Sequence, residues 1–201
     1  RAAAVLAVTG IATVGLVALV HDRAQPRIDA NRRAEQLAQL TAVLGGVPYD
    51  NDPLADTLTV RDAELLGTDE PLTVHRVRRG GRTAAVLLNV VAPDGYSAAI
   101  RLLVAVGADG RVLGVRVIEH RETPGLGDFI EVRRSDWIRR FDGRSMGDPP
   151  AAGWQARKDG GEFDQFTGAT VTTRAVVGAV RDALVYFERH RTDLLDEPPA
   201  P

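Results

Sequence analysis

The chain has 201 residues, is 44% hydrophobic and carries a formal net charge of -2, enough apolar material for one sizeable domain plus an extra segment and no basic surplus to suggest nucleic acid. It contains no cysteine, which excludes disulfides, thiolate zinc sites, iron–sulfur ligation and a cysteine nucleophile. The absence leaves the redox compartment open.

Ala2 to Val20 is an uncharged run of Ala, Val, Leu, Ile and Gly with Thr9 and Thr13. A run of about 20 such residues spans a bilayer as a helix. A signal-peptide core or a buried helix are the competing readings, but His21-Asp22-Arg23 does not resemble a small-residue cleavage site. The expectation is a transmembrane anchor over residues 1–24. Arg23, Arg27, Arg32 and Arg33 follow the run, and by the positive-inside rule that count alone puts the following domain in the cytoplasm.

Apolar residues from Ile28 to Leu44 recur at helical spacing, and Gly45-Gly46 ends the pattern. An amphipathic stalk helix is therefore expected over 25–46, with an adjustment near Pro26. Strand candidates follow at 57–61, 72–79, 83–92, 98–106 and 112–119. Gly80-Gly81, Pro93-Asp94-Gly95 and Ala108-Asp109-Gly110 punctuate them, which predicts an antiparallel sheet. Phe129, Ile130, Trp137, Ile138 and Phe141 suggest short helices, and 142–153 reads as loop. A last helix is expected over 174–190, with Val176, Val177, Val180, Leu184 and Phe187 on one face. Residues 192–201 read as a loose tail.

Two punctuated stretches stand out. Asp164-Gln165-Phe166-Thr167-Gly168-Ala169-Thr170 is a polar turn before the last helix. Thr170 offers a hydroxyl, Gly168 and Ala169 add little bulk, and helix N–H groups point back at them, which suits a phosphate. The plainer reading makes Thr172 or Thr173 an ordinary helix cap. Lys158, the sole lysine, lies six residues ahead of Asp164 and is either an ammonium wanted there or a surface residue. In the other stretch, His120 and Glu122 beside Thr123-Pro124-Gly125-Leu126-Gly127 form either a structural corner or a pocket wall.

Other motifs fail on context. Gly143-Arg144-Ser145-Met146-Gly147 fits a hydrolase nucleophile pattern but lacks the strand–turn–helix setting. Gly125-Leu126-Gly127 is half a dinucleotide fingerprint outside any βαβ unit. His21, His75, His120 and His190 show no metal-ligand spacing, so no metal is proposed.

Together the two stretches resemble the G-subunit family of the Rnf (Rsx) electron-transport complex, and more distantly the C-subunit family of the sodium-pumping NADH:quinone reductase. Asp164-x-x-Thr167-Gly168-Ala169-Thr170 matches the family's flavinylation motif. His120-x-Glu122-Thr123-Pro124-Gly125-Leu126-Gly127 matches its second hallmark, and the order of elements agrees over residues 2–190. One departure is Thr173, where relatives often have Pro.

The resemblance implies an α+β fold: an N-terminal transmembrane helix, then an antiparallel-sheet-rich FMN-binding domain with flanking helices over 47–191. It implies FMN joined by a phosphoester to Thr170, with a flavin transferase as maturation partner and FAD as donor. Thr167 and Thr172 would donate to the phosphate and Lys158 would offset its charge. Glu122, Thr123, Gly125 and Leu126 would contact the ring. It further implies a single-pass protein of the bacterial inner membrane, its FMN domain periplasmic, against the charge count. The protein would relay electrons within a complex that couples ferredoxin/NAD electron transfer to Na⁺ or H⁺ translocation, with the other subunits as partners and no independent catalytic site. The alternative is a non-redox, membrane-tethered binding or scaffold module.

Overall fold

The computed structural model describes residues 2–196, except for some side chains in α1 and that of Asp196. The chain divides into two compact units, Arg1–Gln39 and Leu40–Pro201. The first is helical: α1 (Ala2–Thr41) runs unbroken through Pro26, so the expected anchor and stalk form one helix. Among the described residues no helix is long and apolar enough to cross a membrane. The expected span also draws on residues 4–9 and 12, whose side chains lie outside the described ones. Its described side chains Ile11, Val14, Leu16, Val17, Leu19 and Val20 are all exposed.

The second unit is built on a five-stranded antiparallel meander in the order β1-β2-β3-β4-β5. The strands are β1 (Thr57–Asp62), β2 (Thr68–Arg79), β3 (Arg82–Ala92), β4 (Ile100–Gly107) and β5 (Val112–Glu119). Each expected strand appears, most with shifted ends. A single helical turn, α2 (Ala63–Leu66), separates β1 from β2; Asp62 caps it through Leu65 N–H at 2.9 Å.

β3 and β4 are mostly apolar because both faces of the sheet are covered. One face carries Leu72, Val74, Val86, Leu88, Val90, Leu102, Val104 and Val115. Over it lies α3 (Thr170–Arg189), through Val176, Val177, Val180, Ala183, Leu184 and Phe187. The alternate positions Val77, Ala85, Leu87, Leu103 and Ala105 point the other way, and meet Leu40, Val43 and Leu44. This is why the second unit begins at residue 40 rather than at the loop after Gly46.

Asp56 fastens the incoming loop to β2. Its carboxylate takes Arg76 Nε at 2.7 Å and Arg78 Nε at 2.6 Å, both arginines being 4% exposed. Burial pushes the Asp56 pKa up, but the bonds and charges of Arg78 and Arg76 outweigh it and hold it below the ordinary aspartate value.

Between β5 and α3 the chain makes short 3-10 turns, among them Gly127–Ile130 and Trp137–Phe141, around an aromatic cluster. Phe141 stacks on Phe163 at 4.7 Å between centroids, and Phe166 lies 5.2 Å from Phe129 and 5.4 Å from Trp137. The tail expected to be loose from residue 192 is helical to its last described residue: α4 (Arg191–Asp196) buries Leu194. Residues 197–201 lie outside the described ones.

Candidate functional site

β5 ends at Glu119, and the chain then turns through His120 to Gly127. Leu126 and Gly127 N–H both bond Thr123 O, at 3.1 and 3.0 Å, which closes a tight turn with Gly125 at φ +77. Asp128, buried beneath it, accepts Gly125 N–H at 2.8 Å and pairs with Arg134 at 3.2 Å. Thr123, Gly125 and Leu126 are thereby left exposed on the rim.

Glu122 points inward and is only 4% exposed. Its Oε1 accepts Ser97 N–H at 3.0 Å, and its Oε2 accepts the Thr172 hydroxyl. Glu122 N–H donates to His120 Nδ1 at 3.1 Å. His120 therefore carries its proton on Nε2, which donates to Glu131 Oε1 at 2.8 Å. The bonds from His120 and then Arg133 hold the Glu131 carboxyl below the ordinary glutamate range, against a smaller opposing effect of burial.

Thr170 is the first residue of α3, four residues before the expected start, and is half-buried. The sequence pattern missed this turn because residues 170–173 show no apolar periodicity. Ala169 occupies the cap position without a side-chain bond, and Thr173 Oγ bonds back to Ala169 O at 3.1 Å. Neither Thr172 nor Thr173 is the cap. The first N–H groups of a 20-residue helix thus lie beside the Thr170 hydroxyl without intrahelical partners.

Thr167 and Gly168 are exposed, whereas Ala169 is buried. Gly168 has φ +86, and a Cβ there would meet Leu126 Cδ2 at 3.4 Å, an ordinary contact. Glycine is needed at 168 for its backbone conformation more than for space. The same proximity brings the two stretches together. Asp164, the motif's acidic residue, faces Arg140 and Arg157, each at 3.0 Å, and its carbonyl accepts Trp137 Nε1–H at 2.5 Å. Lys158 is exposed on a 3-10 turn whose neighbour Asp159 grips Arg174 through two bonds, at 2.6 and 2.5 Å.

The structure so joins Glu122 to Thr172 and Leu126 to Gly168, and leaves Thr170, Thr167, Thr123 and Gly125 at the accessible rim. Sequence reasoning missed Ser97, Asp128 and Glu131. Ser97 acts through its backbone, which no side-chain pattern reveals. The two carboxylates gain meaning only from the turn they support.

Comparison with known proteins gives this geometry a family. Residues 95–185 match the FMN-binding domain, and residues 1–43 match the RnfG N-terminal region. The G subunit of the ion-translocating oxidoreductase complex of Pseudomonas aeruginosa (strain UCBPP-PA14) is 50% identical over 195 residues, 97% of this chain and 91% of that one. The chain belongs to the G-subunit family of the Rnf complex. The G subunits of Shewanella loihica (strain ATCC BAA-1088 / PV-4) and Cereibacter sphaeroides (strain ATCC 17029 / ATH 2.4.9) are 42% and 48% identical. These matches cover 98% and 90% of this chain, and 92% and 80% of the relatives. The FMN-binding domain match opens two residues before Ser97 and takes in both stretches.

Proposed function

We propose that this member of the Rnf G-subunit family is an electron carrier with FMN joined to Thr170. The observation that carries the reading is the Thr170 hydroxyl at the N-terminus of α3, half-buried, with exposed Gly168 before it and the Glu122–Gly127 turn against it. The residues fit the group. Free helix N–H groups suit a phosphate, Thr167 is an exposed hydroxyl beside it, and exposed Leu126 and Val171 offer apolar surface to a planar ring. Lys158 supplies positive charge nearby in sequence, whereas the charge of Arg174 is met by Asp159. Thr172 keeps only its backbone N–H for the phosphate, since its hydroxyl is given to Glu122.

In maturation the Thr170 oxygen bonds to the FMN phosphorus of FAD, its proton leaves, and AMP departs. A flavin transferase supplies the catalysis. Bound FMN supplies the redox chemistry, and the chain orients it. The relatives' name, ion-translocating oxidoreductase complex, supports a place in a complex that couples ferredoxin/NAD electron transfer to Na⁺ or H⁺ translocation. The exposed apolar side chains from Ile11 to Val20 support membrane attachment through α1. The single pass, the bacterial inner membrane and the periplasmic side of the FMN domain rest on the family resemblance alone.

The test is co-expression with a flavin transferase, followed by a denaturing gel. The wild-type band fluoresces and the Thr170→Val band is dark. Equal fluorescence in both would remove Thr170 from the assignment. A wild-type band that never fluoresces would favour the scaffold reading.

A further inference from the structure

We propose that Glu122 is a positioning residue that acts through Thr172 and Ser97 and does not itself touch the flavin. This rests on the attachment of FMN at Thr170, and it revises the ring contact that the family resemblance implies for Glu122.

Three observations carry it. Each carboxylate oxygen already accepts a hydrogen from the protein, Oε1 from Ser97 N–H and Oε2 from the Thr172 hydroxyl. Both partners of the second bond are buried, Glu122 at 4% and Thr172 at 1% exposure. Gly127 closes over the carboxylate: a Cβ at 127 would stand 2.7 Å from Glu122 Cβ and 2.9 Å from Oε2. A group walled in this way faces the protein and not the rim.

The bonds connect three segments distant in sequence: the loop after β3, the turn after β5 and the first turn of α3. Thr172 lies two residues after Thr170, and Leu126 four after Glu122. The tie therefore fixes the spacing of Leu126 and Val171, the exposed apolar side chains nearest Thr170 in its two motifs. Those side chains support the ring, and Glu122 holds them in register.

A double-mutant cycle tests this in the full chain co-expressed with flavin transferase. Thr172→Val, Glu122→Ala and the double variant are compared by flavin anisotropy per flavinylated chain and by hydrogen exchange of the Ser97 amide. Both single variants lower the anisotropy to a similar degree and speed Ser97 exchange, by about tenfold in Thr172→Val. The double variant is no worse than either, and Thr172→Ser behaves as wild type. Glu122→Gln, whose amide can serve both partners, keeps the fold and wild-type values.

Additive effects overturn the proposal. So does a normal Thr172→Val beside a loosened Glu122→Ala, and so does a Glu122→Gln protein that loosens the flavin while Ser97 exchange is unchanged. Ser97 exchange needs no flavin. A Thr170→Val protein that still carries covalent flavin would thus overturn the attachment reading separately from the tie.

Discussion

Two carboxylates tie distant segments of this domain together, half-buried Asp56 and buried Glu122, and they are held in different ways. Asp56, at the loop before β1, lies between two guanidinium groups of β2. Glu122, at the turn after β5, takes a backbone N–H and a hydroxyl. The first site meets charge with charge, which fastens a loop strongly and depends on both signs being present. The second meets charge with neutral donors, which orient the carboxylate without cancelling it. A neutral isostere can satisfy the second arrangement and cannot satisfy the first.

The largest expected effect is at the charged site. Asp56→Asn lowers stability by about 3 kcal/mol, read by urea unfolding at neutral pH. A loss below about 1 kcal/mol would mean that other contacts of Arg76 and Arg78 fasten the loop, and the contrast would fail.

The pH dependence follows from the same group. The folded Asp56 pKa is depressed, so its stabilisation is present above the unfolded value and is lost as pH falls through the folded one. Wild type should destabilise on acidification below the ordinary aspartate value. Asp56→Asn should lack that part of the acid limb. Parallel acid limbs for the two proteins would contradict this.

Gly168→Ala places a side chain at φ +86 and costs about 1 kcal/mol in thermal unfolding. Because space is available there, flavin loading at low temperature should largely survive. Complete loss of loading in a folded Gly168→Ala protein would instead favour close approach of the cofactor to residue 168. The smallest effect is expected from Glu122→Gln, within about 1 kcal/mol of wild type, since both neutral donors keep acceptors or exchange roles. A loss as large as that of Asp56→Asn would erase the distinction between the two sites.

The strands were legible because turn glycines separate β-rich runs, and the doubly covered β3 and β4 are mostly apolar. The site was legible in its two motifs and less so in its roles. Thr170 stood out as a hydroxyl beside small residues. The start of α3 did not, because its first turn is held by Thr173 bonding back to Ala169 O and by no side-chain cap. Glu122 looked like a group available to a ligand, because the spacing of 50 residues to Thr172 hides its partner. α2 was missed because one turn is too short for a period to show.

Where the chain is trimmed will decide whether the domain survives alone. A fragment that starts after the glycine pair at 45 and 46 looks natural, since it keeps every strand and both motifs. It would strip Leu40, Val43 and Leu44 from one side of the sheet and leave Val77, Leu87 and Leu103 facing water. Sheets bared in that way tend to associate. The sound cut lies ahead of Leu40, inside what looks like the stalk.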